Sequence, residues 1–339
     1  MNHFKVSLLA GVSVLAITVA NPAAVVAADL PARPAMVTKA PVLAPAVWNW
    51  WVEGGATSMS GADAFVDPFA SPGFAPMPKK WGWEAAAGFD YRFNSVWHVN
   101  GQFRYGRNKA ASKSHNPIAN FAVPTISTTT TVVTPVTGSG SGERKESHWL
   151  ADFMVGRDMN IGLGSTQAKL GVRVASIRGK TTGSASWNVP VTTSSPTVVA
   201  AHNLSYTQES KFLGVGPRAA LEGSVPLGGA WSFDYNVGVA ALFGDRKFTQ
   251  TSTYSGANVN PCISGCPAAG TTNSNSAGAV FNLDAQPGIS YAISRNAKLT
   301  ASYRFDGYWN AMRVSDVNGN FSNANRFYQG AFLRLGFTN

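Results

Sequence analysis

Strict alternation of apolar and polar residues is the feature that most limits what this chain can fold into. In WGWEAAAGFDYRF, Trp81 to Phe93, every odd position is apolar or aromatic, and the even ones are Gly82, Glu84, Ala86, Gly88, Asp90 and Arg92. Side chains of a strand point alternately to opposite faces, so a period of two predicts a strand with one greasy and one polar side. Two architectures accept such strands. In a soluble sandwich the greasy face packs a core, whereas in a membrane barrel it meets lipid and the polar face lines the lumen.

The pattern recurs in ten segments, spanning residues 48–56, 81–93, 96–106, 148–158, 166–176, 212–223, 231–244, 279–293, 298–309 and 326–337. Parity assigns the inward residues of each. The first three turn in Glu53, then Glu84, Asp90 and Arg92, then Arg104. The next three turn in Asp152, then Lys169 and Arg173, then Arg218 and Glu222, with Pro217 a weak point because proline removes a ladder donor. The last four add Asp234, Asp284, the pair Arg304 and Asp306, and Arg334. Glu53 and Arg334 stand at similar depth on the first and last segments, so they are expected to pair across the seam.

The connections alternate between short ones, such as NSV and SRNA, and long ones rich in Ser, Thr, Gly and Asn. Transmembrane β-barrels have short periplasmic turns and long external loops, and sandwiches show no such rule. Segments of about ten residues suit a tilted bilayer crossing. Aromatics recur where interfacial girdles belong, with Trp48, Trp97, Trp231 and Phe337 at one rim and Trp81, Trp149, Phe243 and Trp309 at the other. The fold class expected is all-β, an antiparallel up-and-down barrel of about 10 strands crossing a membrane.

Composition agrees. Charged residues are 13% of the chain, against roughly 25% in an ordinary soluble domain. The segment MNHFKVSLLAGVSVLAITVANPAAVVAAD has a basic Lys5, an apolar run and small residues before a cleavage point after Ala28, as a secretory signal does. The expected organisation is a signal over 1–28, a Pro-rich periplasmic leader over 29–46 and the barrel over 47–339, in the outer membrane of a Gram-negative bacterium. Loss of Lys5 takes the net charge from +10 to +9, and the basic residues are scattered along the sequence rather than clustered as nucleic acid binding needs. Nucleic acid is therefore excluded as a partner, and the expected partners are outer membrane lipid with its lipopolysaccharide and small solutes or ions. Cys262 and Cys266, five residues apart inclusively in a Gly/Pro-rich loop, are expected to form a disulfide in an oxidising compartment. That loop holds no His, Asp or Glu, which argues against a zinc site, and no cofactor or metal motif is found.

Residues 212–244, within KFLGVGPRAALEGSVPLGGAWSFDYNVGVAALFG, and LDAQPGISYAISRNAKLTASYRFDGYWNAMR resemble the pore-forming outer membrane proteins of the Legionella major outer membrane protein type, over roughly residues 81 to 339. GVGPR at Gly214 to Arg218 and YRFDGYWN at Tyr303 to Asn310 carry the resemblance best. The leader AADLPARPAMVTKAP separately resembles those of small alphaproteobacterial barrels. The resemblance implies an outer membrane pore. Members of that family are associated with disulfide-linked assemblies, but this chain has one closely spaced cysteine pair, so a homo-oligomer stays open without a covalent one being implied. The chain ends LGFTN instead of on the terminal aromatic common in such barrels, with Phe337 the nearest.

The inward charges are of both signs, so they could line a wet channel or pair across strands and close it. Ten strands lie nearer the side-chain-filled barrels of about eight than the open ones of about sixteen. The inward glycines Gly88, Gly171, Gly238 and Gly288 count on the side of open space. A passive pore for small hydrophilic solutes or ions is the leading reading and a catalytic role is not expected. The alternatives are a structural or adhesive barrel acting through its loops and an outer membrane protease, for which His148 and Asp152 on one inward face are the candidate pair.

Overall fold

A computed structural model describes residues 47–61, 80–114, 117–123, 132–159, 164–191, 198–256, 270–315 and 321–339. The signal and leader, and the Cys262–Cys266 loop, lie outside the described residues. Eleven strands are present: β1 (Val47–Ser60), β2 (Lys80–Arg92), β3 (Trp97–Ser114), β4 (Pro117–Val123), β5 (Val132–Met159), β6 (Ser165–Val191), β7 (Val198–Gly228), β8 (Trp231–Gly256), β9 (Gly270–Ala292), β10 (Ala297–Ser315) and β11 (Phe321–Thr338).

Ten of them close a ring. Each pairs antiparallel with its neighbours in chain order, except that β3 pairs with β5, and β1 pairs with β11 to seal the sheet. Glu53 stands opposite Arg334 in that closing register. β4 lies outside the ring and pairs with the far end of β5. Closure satisfies every strand's ladder, which a sheet in lipid requires because no water is present to pair with an open edge.

The ten alternating segments coincide with the ten ring strands, and parity holds in each. Trp50, Trp83, Phe103, Phe153, Leu170, Leu213, Phe243 and Leu333 are exposed on the outer wall, while alternate neighbours such as Glu84, Arg104, Asp152, Lys169 and Phe212 are enclosed. Strands β5 to β8 run to 28, 27, 31 and 26 residues, far beyond the roughly ten needed to cross, so they rise as hairpins past the aromatic row at the long-loop rim. The β7–β8 ladder passes over Gly216 and Pro217 with no change of register, and Pro217 faces outward. β10 carries an irregularity between Tyr308 and Met312. Asn310 there takes a φ of 61°, a left-handed conformation that asparagine tolerates, and its N–H donates to Asn325 Oδ1 at 3.0 Å.

The interior is filled except toward the short-turn rim, and inward glycines such as Gly88 and Gly238 do not open it. At Gly238 a Cβ would lie 2.6 Å from an Arg218 guanidinium nitrogen, and at Gly88 it would lie 2.5 Å from the Trp51 ring. Glycine at these places makes room for a large neighbour, the reverse of the open space their inward parity predicts.

Candidate functional site

The lumen is the candidate site, because the fifteen charges that parity turns inward line it and further charges join them. At mid-height Arg173, fully enclosed, donates to both oxygens of Asp152 at 2.7 Å and to Asp284 at 2.8 Å. Arg218 binds the other Asp284 oxygen at 2.9 Å. On the opposite wall Arg104 donates to Asp306 at 2.6 Å, Arg304 bridges Glu53 and Glu84, and Arg334 donates to Glu53 at 2.9 Å. Nine of the ten ring strands contribute to this layer. The tenth, β8, contributes the small Gly238 and Ala240 against which Arg218 and its neighbours fit.

Each pair neutralises charge that burial would otherwise make untenable, so the layer is self-compensating. Gln286 joins the walls, donating to Glu53 at 2.7 Å while its carbonyl accepts from Arg304 at 3.2 Å. The expected Glu53–Arg334 pairing is thus one edge of a larger lattice.

Toward the short-turn rim the lumen opens into a cavity of about 640 Å³ whose walls include Asp90, Arg92, Lys169, Glu222, Asp234 and Lys298. These too are paired: Lys169 with Glu222 at 2.6 Å, Asp234 with Lys298 at 2.7 Å, and Arg92 with Asp158 at 3.2 Å. Asp90 accepts from His98 at 2.7 Å. Toward the long-loop rim the filling changes character. Leu150, Ile177, Phe212, Leu242, Val280 and Met312 form a buried apolar cluster inside the ring.

Beside that cluster lie groups the ten segments did not single out as lumen charges. His148 Nε2 meets Glu84 at 2.8 Å, and the imidazole packs against Tyr328 in a tilted arrangement with 4.0 Å between centroids. Tyr328 donates to Glu146 at 2.6 Å, and Glu146 also takes Arg144 at 2.9 Å and Arg326 at 3.0 Å. Parity could have found Arg144 and Glu146, since they continue the inward set of Asp152, but they precede the stretch that resembles a membrane crossing. His148 and Asp152 do not act together: one is committed to Glu84 and the other to Arg173.

Residues 51–338 match the family profile described as the Legionella pneumophila major outer membrane protein precursor. The chain belongs to the Legionella major outer membrane protein family. The match runs from β1 to the end of β11, so the whole ring is the family's domain, and family membership together with the closed sheet places the chain in the outer membrane. No curated protein matches. Among solved structures, the outer membrane protease OmpT of Escherichia coli is 9% identical over 86% of this chain and 97% of its own, with a TM-score of 0.42. An outer membrane channel of Pseudomonas putida is 11% identical over 91% and 100%, with a TM-score of 0.31. The attachment protein Ail of Yersinia pestis is 9% identical over 87% and 99%, with a TM-score of 0.23.

Proposed function

We propose that this chain is a pore-forming outer membrane barrel for small ions and hydrophilic solutes, exported by a signal over 1–28, whose pathway is shut when the mid-height arginine–carboxylate layer is fully paired. The observation that carries this reading is the vestibule of about 640 Å³, walled by charged residues, that leads directly to that layer. A constriction of ion pairs is hydratable and its members can exchange partners, so it can open without unfolding the wall. The resemblance to pore-forming family members supports the same reading.

A non-conducting barrel acting through its long hairpins is the second reading. It is favoured by the apolar cluster that fills the ring beyond the ion-pair layer, because a greasy constriction excludes water. Proteolysis has no support in the geometry, since His148 is enclosed between Glu84 and Tyr328.

Single-channel recording of the folded protein in a planar bilayer separates the two. The pore reading expects brief, small steps from the wild type and longer openings from Arg173→Met, which unties Asp152 and Asp284. Silence from both, with insertion shown by heat-modifiable migration, overturns the pore and leaves the hairpins as the working surface.

A further inference from the structure

The outer wall carries a charge pattern that the lumen does not explain. The last large apolar or aromatic residues facing out toward the long-loop rim are Tyr105 on β3, Trp149 on β5, Leu213 on β7 and Phe243 on β8. Just beyond this row the outward positions become cationic. β3 presents Arg107 and Lys109, and β5 presents Lys145. β6 adds Arg178 and Lys180, β7 Lys211 and β8 Lys247. These strands are consecutive around the ring, so the seven cations form one arc, accompanied by the carboxylates Glu143, Glu209 and Asp245. On the other half of the wall β9, β11 and β1 place Asn275, Asn325 and Ser58 at comparable outward positions, and β10 contributes a single cation, Arg313, opposite Asn323.

The register makes the arc costly on its own. Lys109 stands opposite Lys145, Lys145 opposite Lys180, Arg178 opposite Lys211, and Lys211 opposite Lys247. Like charges directly opposite in a sheet destabilise it. Glu143 and Glu209 relieve part of this, at 2.6 Å from Lys109 and 2.5 Å from Arg178, while Arg107, Lys180 and Lys247 have no ion pair among the described residues. Solubility would be served by charge spread around the ring. Seven cations concentrated on five consecutive strands just beyond the aromatic row, against one on the rest of the wall, call for an anionic surface.

We propose that this arc is a docking surface for the phosphorylated headgroups of outer-leaflet lipopolysaccharide, its lysines and arginines clamping the phosphates while Tyr105, Trp149 and Phe243 bed the acyl chains below. Cations at a membrane surface attract anionic lipid individually and add, and the attraction weakens as salt rises.

The test is binding of bisphosphorylated lipid A to the folded barrel in neutral detergent, followed by native mass spectrometry. The double variant Lys180→Gln with Lys211→Gln is compared with Arg157→Gln with Arg295→Gln, which removes equal charge at the short-turn rim. The arc variant should lose affinity about tenfold or more and the control should keep it, and wild type should show a similar loss for lipid A stripped of its phosphates. Equal binding by the two variants, or undiminished binding of the dephosphorylated lipid, would overturn the proposal. So would displacement of lipid A by inorganic phosphate at matched phosphorus, which would mark a general anion site. The lipid comparison needs no variant, so it decides even if the double substitution fails to fold.

Discussion

Replacing Arg173 by Met would leave Asp152 and Asp284 enclosed with Arg218 as their remaining strong partner. Removing one member of a buried pair costs about 3–5 kcal/mol, because the charge left behind has neither water nor counter-ion. A lower urea midpoint for Arg173→Met in detergent is therefore expected, read from the folded and unfolded bands on a gel. Glu143 behaves differently because it sits on the outer wall beyond the aromatic row. Hydrogen bonds from Lys109 and Lys145 hold its carboxyl down to about 2, below the ordinary carboxylate range. A depressed folded value means that the stabilisation is complete above the ordinary value and disappears as pH falls through the folded one. The difference in melting temperature between wild type and Glu143→Gln should stay constant from pH 8 to about 5 and vanish near about pH 2. A difference that grew on acidification would contradict the pairing. At this scale parity showed which charges point inward. It could not show which partner each takes, since Arg304 reaches Glu53 and Glu84 across the lumen from two strands remote in sequence.

The strands were legible because lipid enforces alternation more strictly than a protein core does, and all ten ring strands carry it. Their outer ends were not legible. Beyond the aromatic row the outward faces of β5 to β8 are polar, charged or small, as in TGSGSGERKES, and their inward faces carry only scattered large residues such as Ile177, Leu204, Phe212 and Phe248, so the period that identifies a strand fades while the ladder continues. β4 had no alternating signature to find and pairs only with β5. Its position outside the ring yields a prediction: replacing residues 115–139 by an Asn-Gly turn joins Ser114 to its partner Gly140 and should leave heat-modifiable folding intact. Failure to fold would mean that the hairpin nucleates the β3–β5 pairing.

Taken as a whole, the molecule divides along its axis into a charge-lined vestibule, an ionic layer and an apolar cluster, with a cationic arc outside the last of these. The mixed signs of the inward residues were visible in sequence, but their mutual compensation is a property of the closed ring. Closure itself has a consequence in time. β1 finds its final neighbour only when β11 has been made, since the register from Asn49↔Thr338 to Ser60↔Phe327 uses the first strand and the last. A nascent chain that lacks its final twenty residues leaves one edge of β1 and one edge of β10 without a partner, and those are the edges on which one chain can recruit another. Assembly of this barrel is therefore a decision taken at the end of synthesis, and any factor that guides it must hold the first strand until the last arrives.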